Sequence, residues 1–136
     1  MPVISGGCLC GVVRYEVKSD PVMVRNCHCD DCRRATGGAF ATIVFVRAED
    51  LVVLKGETKQ FDFVADSGNP RAQEFCANCG TSLFSKGTLL KGMKGIRIGT
   101  IDDATGLEPT ANLYTARALS FSYIDTALEN SEGMPT

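Results

Sequence analysis

The cysteines carry the chemistry of this sequence. Cys27, Cys29 and Cys32 stand in a C-x-C-x-x-C run within residues 26–34, and two pairs lie far from it, Cys8 with Cys10 and Cys76 with Cys79. Thiolates this close repel one another unless a cation sits among them, and zinc is the usual one. The competing use of seven cysteines is a disulfide framework with one thiol left over. The start of the chain, residues 1–8, lacks a basic region followed by an apolar one, so no signal peptide is expected. A reducing cytoplasm is therefore the expected compartment, where clustered C-x-C and C-x-x-C spacings argue for metal rather than disulfides or redox cycling.

Zinc takes four ligands in a tetrahedron. Seven cysteines cannot fill two all-cysteine shells. The grouping that suits the flanks puts Cys8, Cys10, Cys76 and Cys79 on one structural zinc, because glycine follows Cys10 and Cys79 and small knuckles let backbone N–H groups face the sulfurs. Cys27, Cys29 and Cys32 then share a second, catalytic zinc with no fourth cysteine. The single histidine, His28, stands between two ligands, and in extended chain its side chain points away from theirs, which suits an outer-shell or solvent position. An open fourth position is how catalytic zinc differs from structural zinc. Two other groupings remain: Asp30, Asp31 or a distant carboxylate could close the second shell as a structural site, or the middle cluster could borrow a sulfur from Cys76 or Cys79.

Three thiolates leave a divalent ion with net negative charge and a weak power to acidify water. A small-molecule thiol is a better guest than a hydrolytic water, because zinc binds sulfur and favours its deprotonation. Arg33 and Arg34 follow the cluster and could hold substrate carboxylates, or form an ordinary solvated face. Lys86, Lys91 and Lys94 read as surface charge.

The frame that positions these residues reads as all-β. At 136 residues and 44% hydrophobic, the chain suits one globular domain over 1–136 with a real core. A net charge of −2 gives no case for nucleic acid or an anionic membrane, and no apolar run reaches the roughly 20 residues of a membrane span. Short β-rich segments recur at 12–17, 22–26, 51–54, 59–64, 71–75, 82–85, 96–100, 113–114 and 121–124. The most apolar run, 39–46, reads as a buried central strand. A short helix over 30–36 is expected, capped by Asp30 and stopped by Gly37-Gly38. Residues 87–95 read as a connection, and 1–5 and 130–136 as frayed ends.

Gly7-Cys8-Leu9-Cys10-Gly11, then Cys27-His28-Cys29-x-x-Cys32-Arg33-Arg34 with Gly37, then Phe75-Cys76-x-x-Cys79-Gly80-Thr81 resembles the glutathione-dependent formaldehyde-activating enzyme family, which includes centromere protein V. The resemblance covers nearly the whole chain. It implies an Mss4-like, tent-shaped zinc-stabilised sandwich with at most one or two short helices. It implies two Zn2+ per chain in the division reached above, and glutathione as the thiol partner. The activity it implies is carbon–sulfur lyase chemistry, run in the direction that joins glutathione to formaldehyde. A non-catalytic zinc-stabilised binding module and a thiol redox or metal-handling protein are the alternatives. The chain departs from the family near its end: Asn112 stands where a histidine is common, Phe121 lies near the place of a tryptophan, and the chain has no Trp.

Overall fold

The longest apolar run supplies strand β4 (Ala41–Arg47), and the fold is layered on its two faces. Successive side chains on a strand point to opposite faces. Val44 and Val46 therefore go one way and Ile43 and Phe45 the other, and all four are buried. The structure is a computed structural model, and it describes residues 2–87 and 91–133. β4 lies inside an eight-stranded sheet that runs β11 (Glu129–Asn130), β10 (Ala111–Leu113), β3 (Met23–Cys27), β4, β9 (Met93–Arg97), β8 (Ser82–Gly87), β7 (Pro70–Cys76), β6 (Thr58–Val64). Its pairs are antiparallel except at β10, which runs parallel to both β3 and β11. A three-stranded antiparallel sheet holds β1 (Ile4–Gly7), β2 (Arg14–Val17) and β5 (Leu51–Lys55). The one α-helix among the described residues is α1 (Asp30–Thr36). This is the all-β, two-sheet architecture expected from the short strands.

Each face of the large sheet has its own cover. On one face, Val24, Val44, Val46, Leu83, Phe84 and Ile96 meet Ile4, Tyr15 and Val17 of the small sheet. Burying a side chain of this size stabilises by about 1.5–3 kcal/mol. Tyr15 is the polar exception. Its ring meets Phe84 edge-on at 5.1 Å, and its hydroxyl lies 2.7 Å from Thr100 Oγ1. Burial pushes its pKa up to about 12, so the hydroxyl stays neutral. On the other face, Cys27, Ala41, Ile43 and Phe45 pack with Cys32 of α1.

Gly6 shows how tightly the two sheets meet. It pairs with Tyr15 in the small sheet and bridges to Ile101. A Cβ there would lie inside contact distance of the Tyr15 hydroxyl and the Thr100 carbonyl oxygen. Gly6→Ala is expected to cost about 1–3 kcal/mol through overpacking. That corresponds to a Tm lower by roughly 5 °C or more in a thermal melt.

Four sequence expectations change. Residues 96–100 do not form one strand: β9 ends at Arg97, and Ile98–Thr100 is a 3₁₀ turn. The turn is what brings Thr100 to Tyr15, and Thr100 Oγ1 also donates to the Arg97 carbonyl at 2.8 Å. Residues 121–124 form no strand, and Phe121 and Tyr123 are exposed. Of the ends expected to fray, Ile4 and Ser5 belong to β1 and Asn130 to β11. Of the expected connection at 87–95, Gly87 belongs to β8 and Met93 to Gly95 to β9, where they pair with their neighbours. Met1, residues 88–90 of that connection and residues 134–136 lie outside the described residues.

Candidate metal centres and the pocket beside one of them

Two groups of sulfurs converge. The first joins the loop after β1 to the end of β7. Cys8 and Cys10 follow β1, Cys76 is the last residue of β7, and Cys79 lies in the turn before β8. Gly11 and Gly80 have φ of +79° and +78°, a left-handed conformation that each knuckle needs and that glycine adopts freely. The bends aim backbone N–H groups at sulfur: Val13 to Cys8 Sγ at 3.2 Å, and Asn78 and Cys79 to Cys76 Sγ at 3.3 and 3.4 Å. The Asn78 side-chain amide donates to Cys10 Sγ at 3.3 Å. The Thr81 hydroxyl, followed by backbone N–H groups, pulls the Cys79 thiol down to about 5. These donors favour thiolate.

The four sulfurs lie within 4.8 Å of one another, with Cys8–Cys10 at 3.5 Å and Cys10–Cys76 at 3.8 Å. Sulfurs about 2.3 Å from one tetrahedral zinc stand roughly 3.8 Å apart, so the donor set fits. All seven cysteines are free thiols, so no disulfide competes.

The second group is built by the β3–α1 junction. Cys27 ends β3, Cys29 is the N-cap of α1 and Cys32 lies in its first turn. Cys29 holds extended backbone, and its Sγ accepts the Cys32 N–H at 3.3 Å. The cap is thus Cys29 rather than Asp30, which is the first helical residue. Asp30 and Asp31 in the first turn and Arg33 and Arg34 in the last complement the helix dipole, and Gly37 closes the helix with its N–H on the Arg33 carbonyl. The three sulfurs lie within 4.8 Å of one another, and Cys27 and Cys29 are 3.4 Å apart. Among the described residues, no histidine or carboxylate joins them.

Without a cation these three thiols cannot all ionise. Hydrogen bonding from Cys27 and Cys32 holds Cys29 far below its ordinary value as the thiolate. Bonding to Cys29, then burial, pushes Cys27 far up. Cys32 is pushed up to about 11: the bond from Cys27 lowers it, but the pull of Cys29 and burial outweigh that, and the Arg97 charge opposes them. A bound cation would lift this conflict, and that is the sense in which the trio fits a soft metal.

His28 does not sit at the solvent. It is 1% exposed, its ring lies 4.9 Å from that of Phe40, and neither ring nitrogen has a hydrogen-bond partner among the described residues. Burial holds its pKa down, so it is neutral.

A pocket of about 360 Å³ adjoins the trio, lined by Cys27, Cys29, Cys32, Ile43, Phe45, Asp31, Asp66, Arg71, Leu113, Tyr114 and Arg117, among others. Tyr114 is the one non-glycine described residue with positive φ, at +56°. For a bulky residue that conformation costs about 1–3 kcal/mol and persists only where the surroundings impose it. Here the flanking segment is tied down: Thr115 N–H donates to the Ser131 carbonyl at 3.0 Å, and Arg117 N–H to the Tyr114 carbonyl at 3.0 Å. Burial, then the nearby Cys29 and Cys27, raise the Tyr114 pKa, so its hydroxyl remains a donor at neutral pH.

Residues 3–117 match the family model described as glutathione-dependent formaldehyde-activating enzyme. The chain belongs to that family. A Halomonas elongata protein, named provisionally as a glutathione-dependent formaldehyde-activating enzyme, is 29% identical over 86 residues, which is 60% of this chain. The match spans 55% of that relative, about half its length. The crystal structure of a Rhodobacter sphaeroides protein superposes with a TM-score of 0.59 at 25% identity, covering 77% of this chain and 91% of that one.

Within this family frame, the departures near the end of the chain have a local explanation. Asn112 is buried in a ladder of amides that follows the strand register. Thr42 Oγ1 donates to Asn26 Oδ1 at 2.6 Å, Asn26 Nδ2 to Asn112 Oδ1 at 3.0 Å, and Asn112 Nδ2 to Asn130 Oδ1 at 3.0 Å. A side chain satisfied on both sides this way knits β4, β3, β10 and β11 together. Phe121 is exposed and does not line the pocket.

The cations also rearrange. Arg33 and Arg117 both bind Asp30, at 2.7 and 3.1 Å. Arg34 lines a separate groove with Phe61, Phe63 and Phe75. Lys86 and Lys94 are not plain surface charge, since both bind the buried Glu74 carboxylate, at 2.9 and 2.8 Å. Arg71, which the sequence did not single out, reaches the pocket from β7. It has no carboxylate partner among the described residues, and its Nε donates to the Lys86 carbonyl at 3.3 Å. Its one signal was alternation: Arg71, Gln73 and Phe75 share a face of β7.

Proposed function

We propose that the chain catalyses the reversible addition of a small thiol, glutathione, to formaldehyde, with Cys27, Cys29 and Cys32 as the ligands of a catalytic zinc and Cys8, Cys10, Cys76 and Cys79 as those of a structural one. The observation that carries this reading is a group of three sulfurs, with no fourth side chain among the described residues, opening onto a pocket. When bound, zinc would supply a soft Lewis acid that favours the thiolate form of a substrate sulfur.

The chain's own residues then have distinct tasks. Arg71 is a cation on the pocket wall that forms no ion pair among the described residues, though Asp31 and Asp66 line the same pocket, and it suits a substrate carboxylate. Ile43 and Phe45 give the pocket an apolar side, which limits water near the sulfur. Tyr114 lines the same pocket, and its hydroxyl, which stays protonated, would serve as the donor to the oxygen that develops. In the addition, the thiol gives up its proton, the sulfur lone pair forms the carbon–sulfur bond, the carbonyl π pair moves to oxygen, and that oxygen takes a proton, so the thiol's proton is replaced by the hydroxyl's. No electrons are gained or lost overall, and no redox partner is needed.

The test follows exchange between ¹³C-formaldehyde and its glutathione adduct by NMR, with and without enzyme. The expected result is exchange faster than the uncatalysed addition and proportional to enzyme. Exchange no faster than background would favour a zinc-stabilised binding module and end the enzyme reading.

A further inference from the structure

We propose that the chain pairs with a second copy of itself along β6, antiparallel about a two-fold axis through Phe61, so that the large sheets of two molecules continue into one another.

β6 closes one end of the eight-stranded sheet, and among the described residues no strand lies on its outer side. It pairs with β7 over all seven of its residues, from Thr58 opposite Cys76 to Val64 opposite Pro70, with no bulge. The other edge strands are shorter: β11 has two residues, β1 four and β5 five. The two most exposed large apolar side chains on any described strand are both on β6, Val64 at 68% and Phe61 at 63%. An edge of this kind is a template for another strand, and proteins commonly blunt it with a bulge, a proline or a cover. β6 has neither a bulge nor a proline.

The side chains of β6 select its own copy as the partner. In an antiparallel pair related by an axis normal to the sheet, opposed residues share a face, so the axis passes through a residue and not between two. Centred on Phe61, all seven residues are opposed: Phe61 meets the partner's Phe61, Gln60 the partner's Asp62, Lys59 the partner's Phe63 and Thr58 the partner's Val64. Phe61 and Phe63 already stack within one chain, with ring centroids 6.1 Å apart, so the axis joins four rings into one row. Cross-strand aromatic pairs are among those that stabilise a sheet. Gln60 Nε2 donates one N–H to Asp62 Oδ1 of its own strand at 2.7 Å. The amide has a second N–H, and a carboxylate accepts at both oxygens, so the contact across the axis breaks nothing. Lys59 faces an aromatic ring, which attracts a cation. Moved to Asp62, the axis would oppose two carboxylates; moved to Gln60, it would leave Phe63 and Val64 unpaired. Against an unrelated apolar strand Lys59 and Asp62 would have no partners, whereas against β6 itself both do.

The experiment follows the mass of the full chain by analytical ultracentrifugation from about 1 µM to 1 mM, in wild type and Phe61→Lys. One strand pair is a small interface, so the expected result is a reversible dimer that grows with concentration. Phe61→Lys sets two lysines face to face and removes the central ring pair. It should weaken the dimer at least about tenfold, and its melting temperature should stay near that of wild type because the side chain it replaces is exposed. The register is read by mild oxidation of Phe61→Cys and Lys59→Cys, with wild type setting the background from the seven native thiols. Opposed residues of an antiparallel pair have Cα atoms about 4.5–5.5 Å apart, within disulfide reach, so Phe61→Cys should cross-link to its copy well above that background. Lys59→Cys should not, because four residues of strand, about 13 Å, separate it from its own copy. The two cysteine variants decide the register even where Phe61→Lys fails to fold. A wild type that stays monomeric at every concentration overturns the proposal, whatever small apolar ligand the groove beside Phe61 takes up. So does a dimer that a folded Phe61→Lys leaves intact, or a Lys59→Cys that cross-links as fast as Phe61→Cys. Formaldehyde exchange enters none of these readouts, so the enzyme reading and this one stand or fall separately.

Discussion

Cys76→Ser is expected to remove the folded state, not merely an activity. Cys76 is 1% exposed and belongs to the apolar core between the two sheets. Its N–H donates to the Thr81 carbonyl at 3.0 Å, and its sulfur accepts two backbone N–H groups. Through Cys8 and Cys10 the same cluster fastens the loop after β1 to the β7–β8 turn, so it ties the small sheet to the large one. A structural zinc contributes on the order of 10 kcal/mol to folding in small domains, comparable with the whole stability of a typical protein at about 5–15 kcal/mol. Serine keeps the volume but is a poor ligand for a soft metal. The variant should therefore be insoluble, or show no cooperative transition by circular dichroism where the wild type melts sharply. A Cys76→Ser protein that melts within a few degrees of wild type would show that these four sulfurs hold nothing that folding needs.

The grouping of the sulfurs was legible in the sequence because it follows from counting and local flanks. Glycine after Cys10 and after Cys79 specifies a left-handed bend, and both bends are present. The helix after Cys29 was legible too, from Asp30 at its start and Gly37-Gly38 at its end, although the cap itself is Cys29. The apolar run 39–46 announced a strand buried on both faces but could not say what covered each. That depends on pairings distant in sequence, β4 with β9 and the small sheet with the large.

What the sequence hid has the same cause. Lys94 looks like solvated charge until the fold sets it beside Glu74, and Arg71 draws no notice until the fold puts it in one pocket with Asp31 of α1 and Tyr114. His28 was expected at an outer-shell or solvent position because alternation turns it away from the sulfurs; the structure confirms it stays out of the group yet buries it against Phe40. Alternation says which face a side chain takes, not whether that face is covered. Residues 121–124 failed differently: β-branched and aromatic residues favour strands only where a partner strand exists, and Phe121 and Tyr123 have none.

Cys29→Ser is expected to do the opposite of Cys76→Ser: leave the fold and silence the chemistry. Cys29 is the N-cap of α1, with backbone already extended and its side chain accepting the Cys32 N–H. Serine is among the best N-cap residues, so the start of the helix should survive or improve. The Tm should stay within about 3 °C of wild type, since a few tenths of a kcal/mol at a cap shifts a domain of this size by little more. The metal centre should not survive. Cys27 and Cys32 hold the Cys29 thiol well below its ordinary value, which favours the thiolate that binds a cation. Losing a ligand should exceed the roughly 100-fold cost of losing an outer-shell partner, so adduct exchange should fall at least that far, toward background. Metal analysis should count one ion per chain against two in wild type. The pair of variants separates the two centres in a way neither does alone. If Cys29→Ser keeps two ions and full exchange, or if it unfolds as Cys76→Ser does, the division of the seven sulfurs into one set that folds the chain and one that serves a guest is wrong.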